Sequence, residues 1–396
     1  MANIQQRGDN SYFFTISLGK GADGKYNRAT KTITVTDKMT PKRLKEYLDH
    51  EYLKFKQEAR SDSYIAPGKM TFVSFVEDWK EKYAFKELSE TTITNHLSIL
   101  KIHILPGIGH WQISDINQSL LVDLLHNLKR QDGSERPLAV TSQQSVYTTL
   151  KSIFKYAKQL RVIKEDPTEG VNKPKNNKVV ERELNVYSLE EVTVLLDLLQ
   201  EEDAHWRMFM TLALVAGLRR GEALGLEWSK VDLDKGVIDI SQTIVNTRNG
   251  PLIKSPKTKT SKRLISLPPS VVSDLREYRL ESMKDRLIMG DRWTEYEREW
   301  VFCTEDGTHF YPTTPTTWWS RFTERVGIRY IRLHDLRHTS VTLLIAQGIH
   351  AKIISERSGH SSIRITMDTY GHVLRTADEE AGNTFEGLFS NKSRSK

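Results

Sequence analysis

Apolar and polar residues alternate at Tyr12, Phe14, Ile16 and Leu18, the period of a strand with one buried face. The turn signal Gly-Ala-Asp-Gly follows at 21–24, and Ile33 and Val35 alternate in a second strand. Thr40 then stands as an N-cap, with Pro41 at the first helical position. Leu44, Tyr47, Leu48, Tyr52 and Phe55 recur at helical spacing and predict the buried stripe of that helix. Residues 1–64 therefore read as a small sheet-and-helix domain, with Lys20, Lys25, Arg28 and Lys31 around its sheet.

From Ser61 to Lys69 the chain is linker-like, and the segment 65–171 then reads as all-helical. Phe72, Phe75, Val76 and Trp79 open it at helical spacing, and Leu97, Leu100 and Ile104 continue it. Pro106-Gly107 with Gly109 predicts a break. A later helix gathers Val146, Leu150, Ile153, Phe154, Ala157 and Leu160 on one face. Lys151, Lys155 and Lys158 share another face of it, which reads either as a solvated stripe or as a set of phosphate contacts.

Residues 172–183 have few apolar positions and many Lys and Asn, so they cannot pack a core and form a linker. Ser188-Leu-Glu-Glu191 is a capping box that opens a third domain, 184–396. Its pattern runs helix, helix, short strands and then helices, a mixed α+β domain that is mainly α.

Composition narrows the partners. The net charge is +7 and the pI about 9.1, an excess of cations that favours a polyanion through counterion release. Residues 1–64 hold 12 Lys/Arg against 8 Asp/Glu, so this domain is expected to have its own anionic contact. The mean hydropathy is −0.50. The most apolar run, Met208 to Leu218, falls far short of the roughly 20 residues of a membrane span. The polar start carries no signal-peptide pattern, and the lone Cys303 excludes an internal disulfide. A reducing cytoplasm and no membrane contact are expected.

Polar residues in the third domain stand where packing alone does not call for them. Gly217 ends an apolar helix in a position that favours a left-handed residue, and Gly-Leu-Arg-Arg-Gly-Glu fills 217–222. Arg219 at that junction is placed either to offer its planar fork to a phosphate or to pair with Glu222. Pro-Lys-Thr-Lys-Thr-Ser-Lys-Arg at 256–263 reads as a basic hairpin tip feeding the strand Leu264–Leu267. A lysine there is either solvated or able to protonate a leaving group. His334-Asp-Leu-Arg-His338 places a His and an Arg three apart on one helical face. The same run spaces two His as metal ligands are spaced, but it lacks the Glu that follows the first His in a zinc-protease helix. No metal is expected. Ser358-Gly-His360 follows, and Tyr370 lies ten residues beyond His360.

In this order the pieces at 217–222, 257–263, 334–339 and 358–362, with the downstream Tyr370, resemble the tyrosine recombinases of the phage and conjugative-element integrase type. The resemblance covers about 184–389; the usual Leu-Gly-His reads Ser358-Gly-His360 here, a change in the packing behind the ring. Residues 65–171 resemble the family's SAM-like core-binding domain, and 1–64 its small three-stranded arm-binding domain. The resemblance implies a catalytic set of Arg219, Lys257, His334, Arg337, His360 and Tyr370, with Tyr370 the nucleophile and Lys257, rivalled by Lys259, the general acid. It implies a 3′-phosphotyrosine intermediate and an integrase that acts without metal or ATP and without a cofactor. The substrate would be double-stranded DNA at core-type and arm-type attachment sites in a bacterial nucleoid. The implied partners are a homotetramer of the chain, a small accessory excisionase and a host DNA-bending protein. The apolar residues Val373, Leu374, Phe385, Leu388 and Phe389 would dock on a neighbouring subunit or on their own domain. A chromosome-dimer resolvase, a type IB topoisomerase and a DNA-binding regulator with a decayed site are the alternatives; the arm-like domain and the intact set argue against them.

Overall fold

A computed structural model of the chain describes residues 4–8, 10–20, 26–35, 39–60, 70–130, 132–175, 184–255, 262–294 and 297–367. The chain divides into two compact units, Met1–Val179 and Val180–Lys396, at a point within 172–183. The turn at 21–24, the run 61–69, most of 172–183, Lys25, Lys257, Lys259, Tyr370 and the apolar positions beyond it lie outside the described residues.

The first unit holds two separate cores. Strands β1 (Ile4–Gly8), β2 (Ser11–Lys20) and β3 (Tyr26–Thr34) form an antiparallel sheet in that order. Strand β1 escapes the periodicity because only Ile4 of Ile-Gln-Gln-Arg-Gly is partly buried. Helix α1 (Pro41–Arg60) closes the sheet, burying Leu48 and Phe55 against Phe14, Ile16, Ala29 and Val35. Tyr52 meets Phe14 edge-on at 5.6 Å. Tyr47, predicted on the buried stripe, is exposed; its neighbour Leu48 takes the inward position, which leaves Tyr47 at the rim.

The second core is helical. Helix α2 (Phe72–Trp79) runs through a π turn, Lys80–Ala84, into the short α3 (Phe85–Glu87). Its N-terminus is capped by the Thr71 hydroxyl, which accepts from Ser74 N at 3.3 Å. Helix α4 (Glu90–Ile99) likewise passes through a π turn, Leu100–Ile104, into α5 (Leu105–Ile108). The break predicted at Pro106-Gly107 is therefore absent. Proline disrupts a helix by removing an N–H and crowding the carbonyl four residues back. The wider π turn just before it, where Leu105 N reaches back to Leu100 O, gives the ring room. Helices α6 (Gln118–His126) and α7 (Val140–Gln159) complete the layer. Phe72 stacks on Phe154 at 5.3 Å in its centre. Leu160 sits past the last turn of α7 and is exposed rather than buried.

The first helix of the second unit, α8 (Leu189–Leu199), opens on the Ser188–Glu191 capping box and is followed by the apolar α9 (Ala204–Val215). Helix α10 spans only Arg220–Leu224, because Gly225 caps it. Strands β4 (Val231–Asp232), β5 (Val237–Ile240), β6 (Thr243–Thr247), β7 (Gly250–Lys254) and β8 (Arg263–Ser266) follow. They make two small sheets, β4-β5-β8 and β6-β7. The strands flanking 256–263 thus belong to different sheets: β7 pairs with β6 and β8 with β5. Residues 256–261 of the basic run, expected as a hairpin tip, lie outside the described residues; the strands on either side of it, β7 and β8, are not paired with each other. Helices α11 (Pro269–Met289), α12 (Thr314–Val326), α13 (Asp335–Ala346) and α14 (Ala351–Ser358) complete the unit. Its core joins Phe209, Leu224, Ile238, Ile265, Phe302, Trp319 and Leu336. Among the described residues no helix is long and apolar enough to cross a membrane.

Candidate active site

Four sequence-predicted residues come together where α9, α10, α13 and α14 meet. Gly217 has φ +60°, a conformation that glycine adopts without strain, and it turns the chain from α9 toward α10. Its carbonyl accepts a hydrogen bond from Arg337 Nη1 at 2.6 Å. Arg337 lies on the first turn of α13, is 2% exposed, and also donates through Nη2 to the carbonyl of Ser358. Arg219 precedes α10 and donates through Nη2 to the carbonyl of Gly359 at 3.1 Å. Its side chain is 38% exposed, so it faces the solvent side of the junction.

The Ser358 and Gly359 carbonyls lie at the C-terminal end of α14. Helix ends leave carbonyls without intrahelical partners and carry partial negative charge. Gly359, at φ +62°, terminates the helix and turns them outward. Three successive carbonyls each receive one guanidinium: Arg357 from Arg263 at 2.7 Å, Ser358 from Arg337, and Gly359 from Arg219. His360 comes directly after. Its Nδ1 is 2.8 Å from the Thr366 hydroxyl, which fixes the ring and leaves Nε2 for a ligand. Thr366 is fully buried on the helical turn 363–367, four residues before Tyr370.

His334 is the N-cap residue of α13. Its pKa is pushed down to about 4, first by desolvation and then by His338, Arg337 and Arg219. His360 is pushed down to about 4 as well, by desolvation and then by Arg337 and Arg219. Both imidazoles are therefore neutral at pH 7, able to accept a proton at one nitrogen and donate at the other. His338 stands edge-on to His334 at 5.1 Å. No group of three or more metal-type ligands occurs among the described residues.

The depressed histidines have a consequence for stability. An unfolded His titrates near 6.5, so between about pH 6.5 and 4 the unfolded chain binds more protons than the folded one. Stability then rises with pH across that window and falls on acidification. The urea midpoint of unfolding is expected to drop from pH 7 to pH 5, and His360→Asn to reduce the drop. A midpoint unchanged over that range in the unmodified chain would contradict neutral, desolvated histidines.

Two residues outside the predicted set are built into this site. Glu222 accepts from Arg219 N at 2.9 Å and from Arg219 Nη1 at 2.7 Å. The Arg219–Glu222 pair considered from the sequence thus forms, but it is not exclusive. Arg263 donates to both oxygens of the same carboxylate, at 3.1 and 2.8 Å. Burial opposes ionisation of Glu222, yet Arg263 and then Arg219 hold its pKa down to about 2. The spacing of Glu222 from Arg219 was visible in the sequence; Arg263 was hidden among the lysines of its run.

The basic residues predicted in the first unit fare differently. Lys151 and Lys155 are exposed on α7, whereas Lys158 is paired with Glu169 at 2.7 Å. Lys31 lies on β3 with its ammonium 5.6 Å from the Phe55 ring centroid. Lys20 and Arg28 lie on β2 and β3, with side chains outside the described residues.

The sequence profile of the phage integrase family matches residues 186–376, and that of the phage integrase N-terminal SAM-like domain matches 71–129. A tyrosine recombinase XerC-like protein of Caldanaerobacter subterraneus subsp. tengcongensis is 24% identical, over 98% of either chain. The ICEBs1 integrase of Bacillus subtilis is 28% identical, over 75% of this chain and 76% of its own. Among solved structures, the Tn1549 transposon integrase (residues 82–397) in complex with a circular intermediate DNA aligns with TM-score 0.61 at 17% identity. That alignment covers 79% of this chain and 99% of the other. A lambda integrase tetramer bound to a Holliday junction aligns with TM-score 0.54 at 17% identity, over 91% and 96%.

Proposed function

The chain belongs to the phage integrase family, and from that premise we propose that it is a site-specific DNA recombinase that integrates and excises a mobile element or prophage. The observation that carries this reading is the convergence of Arg219 and Arg337 on adjacent carbonyls beside His360. Two fixed guanidiniums and two neutral imidazoles at one helix junction match the charge that gathers on a phosphodiester's non-bridging oxygens during transfer.

In the proposed reaction the Tyr370 oxygen attacks the scissile phosphorus. His334 takes or shares the phenolic proton, which an unperturbed tyrosine holds up to a pH of about 10. Arg219, Arg337 and His360 hold the non-bridging oxygens. The bond to the 5′ oxygen breaks, and Lys257 supplies that oxygen with a proton. The product is a 3′-phosphotyrosine and a free 5′-hydroxyl. Attack by a different 5′-hydroxyl reverses the step, so the bond energy is conserved and no ATP is consumed. The guanidiniums supply the charge that Mg²⁺ supplies in kinases.

We assign 1–64 to arm-type sites and 65–171 to core-type sites, with Lys31, Lys151 and Lys155 among the phosphate contacts. The charge of Lys158 is already met by Glu169. The proposed working form is a homotetramer on paired sites, assisted by an excisionase and a DNA-bending protein; a lambda integrase tetramer bound to a Holliday junction, which shares the fold, supports the tetramer. Integrase is favoured over type IB topoisomerase because the relatives are integrases and recombinases and because of the basic sheet domain at the N-terminus.

The test is recombination between two DNA molecules, each with an attachment site, in EDTA and without ATP. Products are expected at the yield obtained with Mg²⁺. Strict metal dependence would defeat the mechanism, and relaxation of supercoils with no exchange between sites would favour a topoisomerase.

A further inference from the structure

We propose that Arg263 is a positioning residue of the strand-transfer reaction, neutralising Glu222 so that Arg219 keeps its charge for the DNA phosphate. The inference rests on the recombinase reading above and adds to it a residue outside the predicted catalytic set. Arg263 begins β8, directly after the segment that carries Lys257 and Lys259. Its side chain is 6% exposed, and its Nε and both terminal nitrogens are engaged by the Arg357 carbonyl and the Glu222 carboxylate. It therefore acts through its neighbours.

Those neighbours are the two supports of Arg219. Arg263 donates to both oxygens of Glu222 and, through Nε, to the carbonyl of Arg357 at 2.7 Å. Glu222 in turn holds Arg219 by its backbone N and by Nη1. One buried carboxylate thus stands between two guanidiniums, and the trio keeps a net charge of +1. With Arg263 removed, the charge of Glu222 would fall on Arg219 alone. A fork paired with a poorly solvated carboxylate is strongly held, and its charge would be cancelled where the phosphate needs it. The Arg357 contact adds a second effect. It joins β8 to the end of α14, two residues before Gly359, whose carbonyl takes Arg219. An added Cβ at Gly359 would lie 2.8 Å from Arg263 Nη1, so the two are already in close contact.

The experiment measures covalent adduct formation on a nicked attachment-site duplex, together with DNA affinity by gel shift. Arg263→Met is expected to slow adduct formation about 100-fold while affinity changes less than about threefold. Adding Glu222→Gln removes the uncompensated charge and is expected to restore about tenfold or more of the rate. A purely structural role would make the double variant no better than Arg263→Met, and that result overturns the proposal. If Arg263→Met fails to fold, the double variant is compared with Glu222→Gln alone, since a neutral pair is tolerated where a lone buried charge is not. Equal rates within about threefold support the proposal; a further tenfold loss overturns it. Adduct formation by Arg263→Met at the unmodified rate overturns the role of Arg263 alone. No adduct from the unmodified chain overturns the recombinase reading, and this proposal with it.

Discussion

Tyr370→Phe is expected to abolish the covalent protein–DNA adduct on a nicked attachment-site substrate, slowing its formation by at least about four orders of magnitude. The substitution removes one oxygen, the atom proposed to become bonded to phosphorus. Nothing else in the proposed reaction can take its place. In that proposal the imidazoles of His334 and His360 act as proton carriers and donors, and the lysine general acid would protonate the leaving group without displacing it. The cations are untouched, so affinity for the duplex should be preserved. Gel shift and adduct formation on the same substrate separate the two effects. An adduct at wild-type yield in the Phe variant would place the nucleophile elsewhere.

Arg337→Ala has the second largest expected effect, and it strikes both chemistry and fold. Loss of a preorganised donor at developing charge typically slows a reaction about 10²–10³-fold. Unlike Tyr370, Arg337 is also a fastener. It is 2% exposed and bonds to the carbonyls of Gly217 and Ser358, which join the end of α9 to the end of α14. Leaving two buried carbonyls without a donor costs about 1–3 kcal/mol each. For a unit of this size, each kcal/mol lowers the melting temperature by about 2–4 °C. Arg219→Ala should impair cleavage comparably but unfold the protein less, because its side chain is more exposed and Glu222 keeps Arg263. Thermal unfolding beside adduct kinetics distinguishes the two variants. An unchanged melting temperature for Arg337→Ala would refute its structural role. Lysine is no remedy, since it lacks the planar fork that spans two carbonyls.

Much of the fold was legible because its signals are local. The Ser188–Glu191 capping box forms as its spacing predicts, with Ser188 N donating to Glu191 at 2.8 Å. Gly217 takes the left-handed conformation that its position after an apolar helix demands. The strand expected at Leu264–Leu267 forms as β8, beside β5. The misreadings have physical causes of equal clarity. Strand β1 is an edge with one partly buried residue, so it has no period to detect. Helices α4 and α5 join across Pro106 because a π turn precedes it, and no residue type announces such a turn. The pair β6-β7 lies between β5 and β8 in sequence, which made the run after it look like a hairpin tip.

The site was legible as a set of residue types in order, and only partly as an arrangement. Arg219, His334, Arg337 and His360 carry motifs that can be read directly, and the structure brings them to one junction. Arg263 carries no motif. It lies 41 residues from Glu222 in the chain and meets it only in the folded unit. A carboxylate shared across such a distance is a product of topology, which local spacing does not encode.

The turn that ends α14 bears on the direction of recombination. Its three carbonyls grip the arginines through the protein's own backbone. None of those bonds includes an atom of DNA, so the proposed reaction requires no change in the grip between the cut, the covalent intermediate and resealing. A cleft that keeps one geometry through both half-reactions stabilises the outgoing and the incoming 5′ oxygen alike, and so has no forward sense of its own. Whether strands are joined into a chromosome or released from it must then be decided away from this cleft, by which ends are presented to it and how long they are held there.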